Sequence, residues 1–437
     1  MIFAHVRYNL VTMLVRIFRL AEVPIEYRSN FRHLYIEIAW FGVASGTAIN
    51  FLNIFAARLG ATGFQIGLIA GLSALVNLLL ALPAGRWLAK RDTSRAIFWS
   101  SILYRLGYFL WIPLPWVFSN EDQIWLLILI NFLMAIPLTP LSVGFNALFA
   151  EAVPLDWRAY VAGIRNVTLA LTFVISSIVC GYFLKFVQFP LGYQLVFLIG
   201  ALASVFSSYH LFFVKSIESK STTADKRVEG RLPSPERPAP VKERLFARNL
   251  PAYLRLDIWR TPFRRVLLVL LAFHLAQYLA IPVFPLFSVN ELRLGDDQIG
   301  ISTALFYTTV LIGSTQLGRL VRWLGHKNVA ALGAIGMGFY PFLMGFTTQV
   351  WQFYGLSLVG GWMWALVGGA YANYMLEHIP DHDRPPHLAW YNIALNTAIL
   401  AGSLFGPLIA SQLGIRDALN IFGVLRFLAG AAILIWG

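Results

Sequence analysis

The sequence predicts an all-α membrane protein with twelve transmembrane helices in two pseudo-symmetric six-helix bundles. Three observations support this: the composition, the number of long apolar runs and an internal repeat. Of the 437 residues, 58% are hydrophobic and 13% are charged, whereas about 25% charged residues is usual in soluble domains. A chain this poor in charge is expected to lie mostly in lipid.

Twelve apolar runs are long enough to cross a bilayer, whose hydrocarbon core of ~30 Å needs about 20 helical residues. A helix satisfies its backbone hydrogen bonds within one segment, so a helical bundle is the expected outcome. The predicted spans of the first half are 34–57, 64–86, 96–118, 122–147, 161–186 and 189–215. Those of the second half are 264–289, 298–322, 327–347, 350–377, 386–411 and 417–437.

Two stretches of the sequence occur twice. The segment "QIGLIAGLSALVNLLLALPAGR" (65–86) matches "QIGISTALFYTTVLIGSTQLGR" (298–319) at seven positions, with an offset of 233 residues. The segment "EAVPLDWRAYVAGIRN" (151–166) aligns with "EHIPDHDRPPHLAWYN" (377–392) and keeps Glu, Pro, Arg and Asn in register. These pairs lie in the second span and after the fourth span of each half. The two halves are therefore predicted to be copies of one another.

The basic residues fall mainly on one side of the predicted membrane. If the N-terminus is cytoplasmic, 27 of the 34 Lys and Arg residues lie in inner segments and four in outer loops. The positive-inside rule therefore predicts a multi-pass protein of a prokaryotic inner membrane, with cytoplasmic N- and C-termini. The same distribution explains the net charge of +13 without a nucleic-acid partner.

Two segments are predicted to lie outside the bundles. Residues 1–30 contain an amphipathic helix with Phe3, Val6 and Leu10 on one face and arginines on another, which suits the inner lipid surface. Residues 216–260 form a basic cytoplasmic linker, rich in Ser and Pro, that cannot bury enough apolar area to order itself. The predicted bundles are residues 31–215 and 261–437.

Six plus six helices with a parallel repeat and a basic linker are typical of secondary transporters, whose two halves rock around a central site. The loops "GRWLAKRDTSR" (85–95) and "GRLVRWLGHK" (318–327), together with Pro-x-x-x-Arg turns at 154–158 and 380–384, resemble the major facilitator superfamily. The resemblance implies alternating access around a cavity lined by spans one, four, seven and ten. It also implies that the loops latch the outward-open state, although the family's acidic position is Ala89 here and Arg322 in the second copy.

The resemblance further implies a set of residues that hold and release the cytoplasmic end as the halves rock. Asp92 could supply the missing carboxylate three residues late. The alternative is that these residues only pin the loops or fix the topology. The gating and charge-network candidates are Gly85, Lys90, Asp92, Glu151, Arg158, Arg165, Gly318, Arg322, Glu377 and Arg384.

Polar and aromatic side chains occupy the four spans that the resemblance places around the cavity. Ligand sites are mostly apolar with a few convergent polar groups, and these spans hold no cluster of Arg or Lys. The pattern therefore favours a neutral or amphiphilic organic solute, although each Trp, Tyr or His taken alone could equally be a packing residue. The cavity candidates are Asn50, Asn53, Asn131, Asn146, His274, Gln277, Tyr278, Trp362, Trp364, Tyr371 and Asn373.

Charged residues within spans are costly and are functional candidates by default. Glu37 is the proton-coupling candidate, because a buried carboxylate can exchange a proton for solute; pairing with a nearby Arg is the alternative. Arg105 and Arg426 fall on spans that the resemblance makes supporting helices, so we expect structural pairing for both. Asn50 follows Glu37 by 13 residues, which puts the two on nearly opposite faces of a straight helix.

We expect a transporter and not an enzyme, with proton-coupled efflux of a small organic solute as the first hypothesis. The sequence contains neither a phosphate-binding loop nor metal-ligand spacing, and Cys180 is its single cysteine, so no cofactor or metal is expected. The expected partners are the solute, protons and membrane lipids, and the expected state is a monomer.

Two alternatives stay open. A nutrient uptake symporter or uniporter of the same fold is one, because span five lacks the Gly-Pro-rich signature of antiporters. The other is a membrane assembly factor that handles a lipid or a pigment without transporting it.

Overall fold

The computed structural model describes residues 23–216, 255–380 and 383–437, and the regular structure in these ranges is helical. Most of the predicted amphipathic segment (1–30) and most of the predicted linker (216–260) lie outside the described residues.

Six long helices form the first half. They are α1 (Ile25–Arg58), α2 (Gly63–Leu88), α3 (Thr93–Trp111), α4 (Asn120–Ala152), α5 (Leu155–Phe186) and α6 (Leu191–Phe212). Helix α3 stops short of the predicted limit at 118 because Pro113 and Pro115 follow it, and proline cannot donate the backbone hydrogen bond that would continue the helix.

The second half repeats this pattern. Its helices are α7 (Phe263–Glu291), α8 (296–324), α9 (326–344), α10 (Val350–Leu376), α11 (Arg384–Leu413) and α12 (Ile415–Trp436). The run Asp296–Met344 divides into α8 and α9 at Gly325, whose φ of 78° and ψ of 163° suit glycine and turn the chain back. Nine helices in the described ranges are long and apolar enough to cross a membrane. Together with α3, α8 and α9 they confirm the predicted twelve.

The two copies of the sequence repeat begin with the same helix cap. Gln65 Oε1 accepts a hydrogen bond from the backbone N–H of Thr62 (2.8 Å), and Gln298 Oε1 accepts one from Gly295 (3.0 Å). In each case a Gln in the first helical turn satisfies an N–H that the helix itself leaves unpaired. The repeated glutamine therefore marks equivalent helix starts in the two halves.

Helices α1 and α7, which open the two halves, are both irregular. A π turn interrupts α1 at Ser45–Ile49, and another ends α7 at Phe287–Glu291. Helix α7 also breaks at Pro282, between the segments Phe263–Ala280 and Val283–Leu286. A π turn shifts the direction of all later side chains, and such turns are frequent at functional sites.

The halves make backbone contact at one end of the molecule. Gly181 of α5 faces Gly300 of α8, where a Cβ atom on Gly300 would lie 2.6 Å from the carbonyl oxygen of Ser177. Gly67 of α2 is similarly pressed against the carbonyl oxygen of Ser403 of α11. Small residues allow such close approach of helices in membranes. We call this end, which also contains Arg58 and Asp296, the closed end.

Apolar packing follows the same division. The largest buried cluster is shared by the two halves at the closed end and includes Phe55 and Phe197 with Leu286 and Phe422. A second cluster, around Phe31 and Leu148, lies within the first half. A third, around Phe263 and Tyr374, lies within the second half.

At the opposite end the glycines of α2, α5 and α8 have open space beside them. Among the described residues, a Cβ atom added to Gly85 of α2 or to Gly163 of α5 would have no neighbouring atom within 4 Å. A Cβ atom added to Gly318 of α8 would meet only Arg322 of its own helix. Each of these helices is in close contact with the other half near its closed end. We call the end that contains Gly85 and Gly318 the open end.

Candidate functional site

A cavity of about 460 Å³ lies between the halves, next to the closed end. Helix α1 supplies the wall from the first half, while α7, α8, α9, α10 and α12 supply the rest. The main apolar lining residues are Ile54, Ile281, Phe284, Phe306, Met337 and Trp364. The main polar lining residues are Asn50, Asn53, Gln277, Ser302, Thr303 and Ser357.

Some of the amide groups in the cavity wall are unpartnered. Asn50 Nδ2 donates to Ser177 Oγ (3.1 Å), which in turn donates to the carbonyl oxygen of Gly300 (3.4 Å). The side-chain oxygens of Asn53 and Gln277 are buried without a hydrogen-bond partner among the described residues. Buried polar atoms are rarely left unpaired, so these two oxygens are positioned to accept a hydrogen bond from a donor group in the cavity.

Arg426 of α12 also lines the cavity, and it is the one charged residue to do so within the described ranges. It is 1% exposed. Its guanidinium donates to the carbonyl oxygens of Gln277 (2.8 Å), Met337 (3.3 Å) and Ala276 (3.4 Å). No carboxylate of the described residues pairs with it. The expectation of a paired residue on a supporting helix is therefore wrong for Arg426, because its long side chain reaches past α12 to the space between α7 and α9.

The structure brings four of the eleven cavity candidates together. Asn50, Asn53, Gln277 and Trp364 line the cavity. Asn131 lies outside it and bonds to the carbonyl oxygen of Leu127 in its own helix (2.8 Å). The other candidates outside its lining are Asn146, His274, Tyr278, Trp362, Tyr371 and Asn373.

The position of His274 along α7 explains why it does not line the cavity although Gln277 does. The two residues are three apart on α7 and share a face, but His274 lies one turn nearer the open end. There its Nε2 bonds to Tyr391 OH (3.0 Å), and its ring packs against those of Tyr371 and Tyr391. Asn146 and Asn373, farther along α4 and α10, are exposed.

A second buried polar cluster lies within the first half. Glu37 of α1 is 3% exposed. Its Oε2 lies 2.9 Å from Arg165 Nη1, and its Oε1 lies 3.4 Å from Arg105 Nη2. Ser207 donates to the same Oε1 (3.0 Å), and Arg105 also donates to Ser208 (2.8 Å). One carboxylate is thus shared by two guanidiniums.

These contacts give Arg105 the pairing that the sequence predicts for it. Glu37 is a counterion in this conformation, and proton coupling through it stays a prediction. Glu37 and Asn50 occupy separate sites, as their spacing predicts, although the π turn between them changes the angle. Arg165, predicted to act in the gating network, lies in this cluster instead of at the open end.

Ion pairs cross between the halves at the closed end. Arg58 Nη2 lies 3.0 Å from Asp296 Oδ1, which also accepts a hydrogen bond from Tyr193 OH (2.7 Å). Lys185 Nζ lies 2.9 Å from Asp297 Oδ2. Sequence reasoning missed this set, although two acidic residues at the start of a repeat opposite basic outer-loop residues were a usable signal.

Equivalent contacts hold Glu151 and Glu377 at the open end. Glu151 accepts a hydrogen bond from Thr93 (3.3 Å), and Glu377 bonds to His326 (2.6 Å). Thr93 and His326 are separated by the same 233 residues as the sequence repeat. Each predicted Glu therefore bonds to the corresponding position within its own half.

The remaining gating candidates are local or exposed in this conformation. Arg158 donates to the carbonyl oxygens of Ala150 (2.6 Å) and Val153 (3.1 Å) at the end of α4. Asp92 caps α3 by accepting from the backbone N–H of Arg95 (2.8 Å). The exposed candidates include Lys90 and Arg322. Arg384 begins α11.

Comparison with known proteins supports the architecture. The Major Facilitator Superfamily profile matches residues 38–280 and 266–437. The crystal structure of the nucleoside transporter NupG superposes with a TM-score of 0.67 at 11% identity, over 93% of this chain and 98% of that one.

Two sequence relatives also carry transport-related names. Multidrug resistance protein 1 of Bacillus subtilis (strain 168) is 28% identical over 36% of this chain and 39% of its own length. The cis,cis-muconate transport protein of Acinetobacter baylyi is 21% identical over 69% of each chain. The match to the Bacillus protein thus spans about two fifths of that relative.

The family profile extends from α1 to the last residue, and the twelve helices, internal repeat and inter-half cavity agree with it. The chain belongs to the Major Facilitator Superfamily and is a membrane transporter, not an enzyme.

Proposed function

We propose that this transporter exports a small amphiphilic organic solute by alternating access, in exchange for protons. The observation that carries the proposal is a cavity between two halves that touch at one end and have open space beside their glycines at the other. A solute enters such a cavity from one side, and rocking of the halves then exposes it to the other side.

The predicted topology supplies the direction in which the cavity faces. With a cytoplasmic N-terminus, Arg58 and Asp296 lie at the outer face of the membrane and Gly85 and Gly318 at the cytoplasmic face. The conformation described here is then the inward-facing one, which accepts solute from the cytoplasm.

The contacts at the closed end suit a reversible latch. The side chains of Arg58 and Asp296 are 26% and 13% exposed, and Lys185 of the second pair is 52% exposed. A pair with an exposed member, such as Lys185 with Asp297, is worth about 0–1 kcal/mol. Breaking such pairs therefore adds little to the free energy needed to open this end, where the halves also share their largest apolar cluster.

Export and uptake each have support. Similarity to Multidrug resistance protein 1 and the aromatic cavity wall favour export of an amphiphilic compound. The lack of a Gly-Pro-rich signature in α5 favours uptake as the second candidate.

Vesicle experiments test both directions at once. The purified protein is reconstituted into liposomes that contain a pH-sensitive dye, and sugars, organic acids and lipophilic cations are added outside in turn. An exchanger makes the lumen more alkaline as protons leave, whereas a symporter makes it more acidic. Protein-free liposomes correct for solutes that cross the bilayer unaided.

Solute movement is measured in parallel with radiolabelled compounds that respond in the dye assay. Exchange with protons supports the proposal, and co-entry with protons supports uptake instead. If no compound of the three classes moves through correctly folded protein, the proposed export of such solutes is contradicted.

A further inference from the structure

We infer that Arg426 binds an anionic group of the solute, and that the solute class is an amphiphilic organic anion with one carboxylate. This inference rests on the proposed function, since it names what the same cavity carries. It departs from the neutral solute that the sequence of four spans favours.

The charge of the cavity wall is the first argument. Arg426 contributes one positive charge, and no Asp or Glu lines the cavity within the described ranges. A guanidinium stays protonated at physiological pH. A cationic solute would therefore meet an unscreened like charge in a poorly solvated space, whereas an anion would supply the missing counterion.

A comparison with the other buried arginines sharpens this argument. Arg105 and Arg165 share Glu37, so the first half supplies its own carboxylate for buried guanidiniums. Arg426 is equally buried, but within the described ranges its hydrogen-bond partners are only three backbone carbonyl oxygens. Carbonyl dipoles reduce the cost of burying a charge without cancelling it. The described part of the second half thus supplies no counterion for the arginine that lines the cavity.

The geometry leaves donors for an incoming carboxylate. A guanidinium has five N–H groups in a planar fork, and the three backbone contacts use one on each nitrogen. Because Gln277, Met337 and Ala276 hold it from α7 and α9, the fork is fixed before solute arrives. Such preorganisation lowers the entropy lost on binding.

The rest of the wall suits an apolar body with additional polar atoms. Phe284 lies with its ring centre 5.8 Å from the Arg426 guanidinium, and Phe306 and Trp364 add aromatic surface. The unpartnered side-chain oxygens of Asn53 and Gln277 accept hydrogen bonds, so they suit donor groups elsewhere on the solute. A flat aromatic acid that also carries a hydroxyl or amino donor combines these features.

Anchoring of the α7 break is the competing role for Arg426. The carbonyl oxygen of Gln277 also accepts from the N–H of Ile281 (3.3 Å), immediately before Pro282. An arginine that only holds this break would affect folding but would not select solutes by charge. Selection by charge is therefore the property to measure.

Three probes of nearly equal shape isolate that property: 1-naphthoate, 1-naphthalenemethanol and 1-naphthylmethylammonium. Their affinities for the unmodified protein in nanodiscs are measured by calorimetry. We expect naphthoate to bind about 10- to 100-fold more tightly than the neutral alcohol, the range typical of a buried charge-assisted hydrogen bond. The ammonium probe should bind most weakly.

Variants then assign the preference to Arg426. Arg426→Met should abolish the preference for naphthoate over the alcohol, and Arg426→Lys should keep part of it. Arg416→Gln is the matched control, because Arg416 lies on the same helix but pairs with Glu291 outside the cavity lining (3.1 Å). Size-exclusion profiles and thermal melts establish that each variant is folded.

The outcomes separate this inference from the proposed function. Equal or weaker binding of naphthoate relative to the alcohol in the unmodified protein overturns the inference, whether or not Arg426→Met folds, as does failure of all three probes to bind. Vesicle flux is scored independently: transport of neutral compounds would contradict the anion class while leaving the transporter proposal intact. Tight naphthoate binding without any solute movement would support the anion class and contradict the proposed transport.

Discussion

Arg165 Nη1 lies 2.9 Å from Glu37 Oε2, deep among the helices of the first half. The same carboxylate is shared with Arg105, so one negative charge compensates two buried positive charges. The arrangement joins α1, α3, α5 and α6 through one side chain. Glu37 is therefore the member of the cluster whose loss leaves the most charge uncompensated.

Glu37→Gln should destabilise the protein more than either arginine substitution. Removing one partner of a buried ion pair costs about 3–5 kcal/mol, because the remaining charge stays buried. In Arg165→Gln, by contrast, Glu37 keeps Arg105 as its partner. The thermal unfolding midpoint in detergent should fall by several degrees in Glu37→Gln and by less in Arg165→Gln. Equal midpoints for Glu37→Gln and the unmodified protein would contradict the shared-counterion interpretation.

Asp296→Asn should loosen the closed end. The substitution removes the ion pair with Arg58 and weakens the hydrogen bond from Tyr193. A loss of about 1 kcal/mol would change the ratio of closed to opened molecules roughly fivefold. Double electron–electron resonance measures the distance between spin labels on cysteines introduced at the exposed positions Gln188 and Leu413. The background protein carries Ala in place of Cys180.

The matched control for this experiment is Glu377→Gln. It also neutralises a carboxylate, but its partner His326 belongs to the same half, at the open end. The label distance at the closed end should therefore be unaffected. A similar distance change in both variants would mean that Asp296 has no special part in holding that end.

Gly300→Val should prevent the halves from closing at the Gly181 contact. The added Cβ would stand 2.6 Å from the carbonyl oxygen of Ser177, so α5 and α8 would have to separate. We expect at least a tenfold loss of vesicle transport together with a longer label distance at the closed end. Gly355→Ala is the control, because nothing lies within 4 Å of that Cβ site on α10.

Gln277→Leu and His274→Phe should differ in their effect on transport. Gln277 lines the cavity, whereas His274 bonds to Tyr391 outside its lining. For a solute that responds in the vesicle assay, Gln277→Leu should raise KM about 2- to 10-fold, as expected for the loss of one hydrogen bond. His274→Phe should change KM less than twofold. A larger effect at His274 would place the binding site nearer the open end.

The sequence predicts the helices well because lipid imposes a simple requirement on them. Each span must be apolar over about 20 residues, and that signal survives in the sequence whatever the neighbours are. The repeat beginning at Gln65 and Gln298 is equally readable, since both residues cap a helix locally. The predicted limits fall short where a helix continues beyond its apolar span, as at the start of α1 (Ile25 instead of 34), and they run too far where proline intervenes, as at Pro113.

The cavity is less predictable because a residue's depth and face depend on neighbouring helices. Arg426 reaches the cavity because its side chain is long and because α7 breaks beside it. Neither feature can be read from the sequence periodicity of α12. His274 and Gln277 share a face, yet only one reaches the cavity. The pair Arg58 and Asp296 is separated by 238 residues, so only the assembled fold reveals it.

The contact between Gly181 and Gly300 lies close to one end of two long helices, and this position sets their leverage. The distance from Gly181 to the start of α5 at Leu155 is about 40 Å, at 1.5 Å per residue. A rotation of 1° about the contact would displace the far end by about 0.7 Å. Shifts of a few tenths of an ångström beside the glycines are thus magnified into movements of several ångströms at the distant helix ends. The two helices would rotate about the point where their residues are smallest.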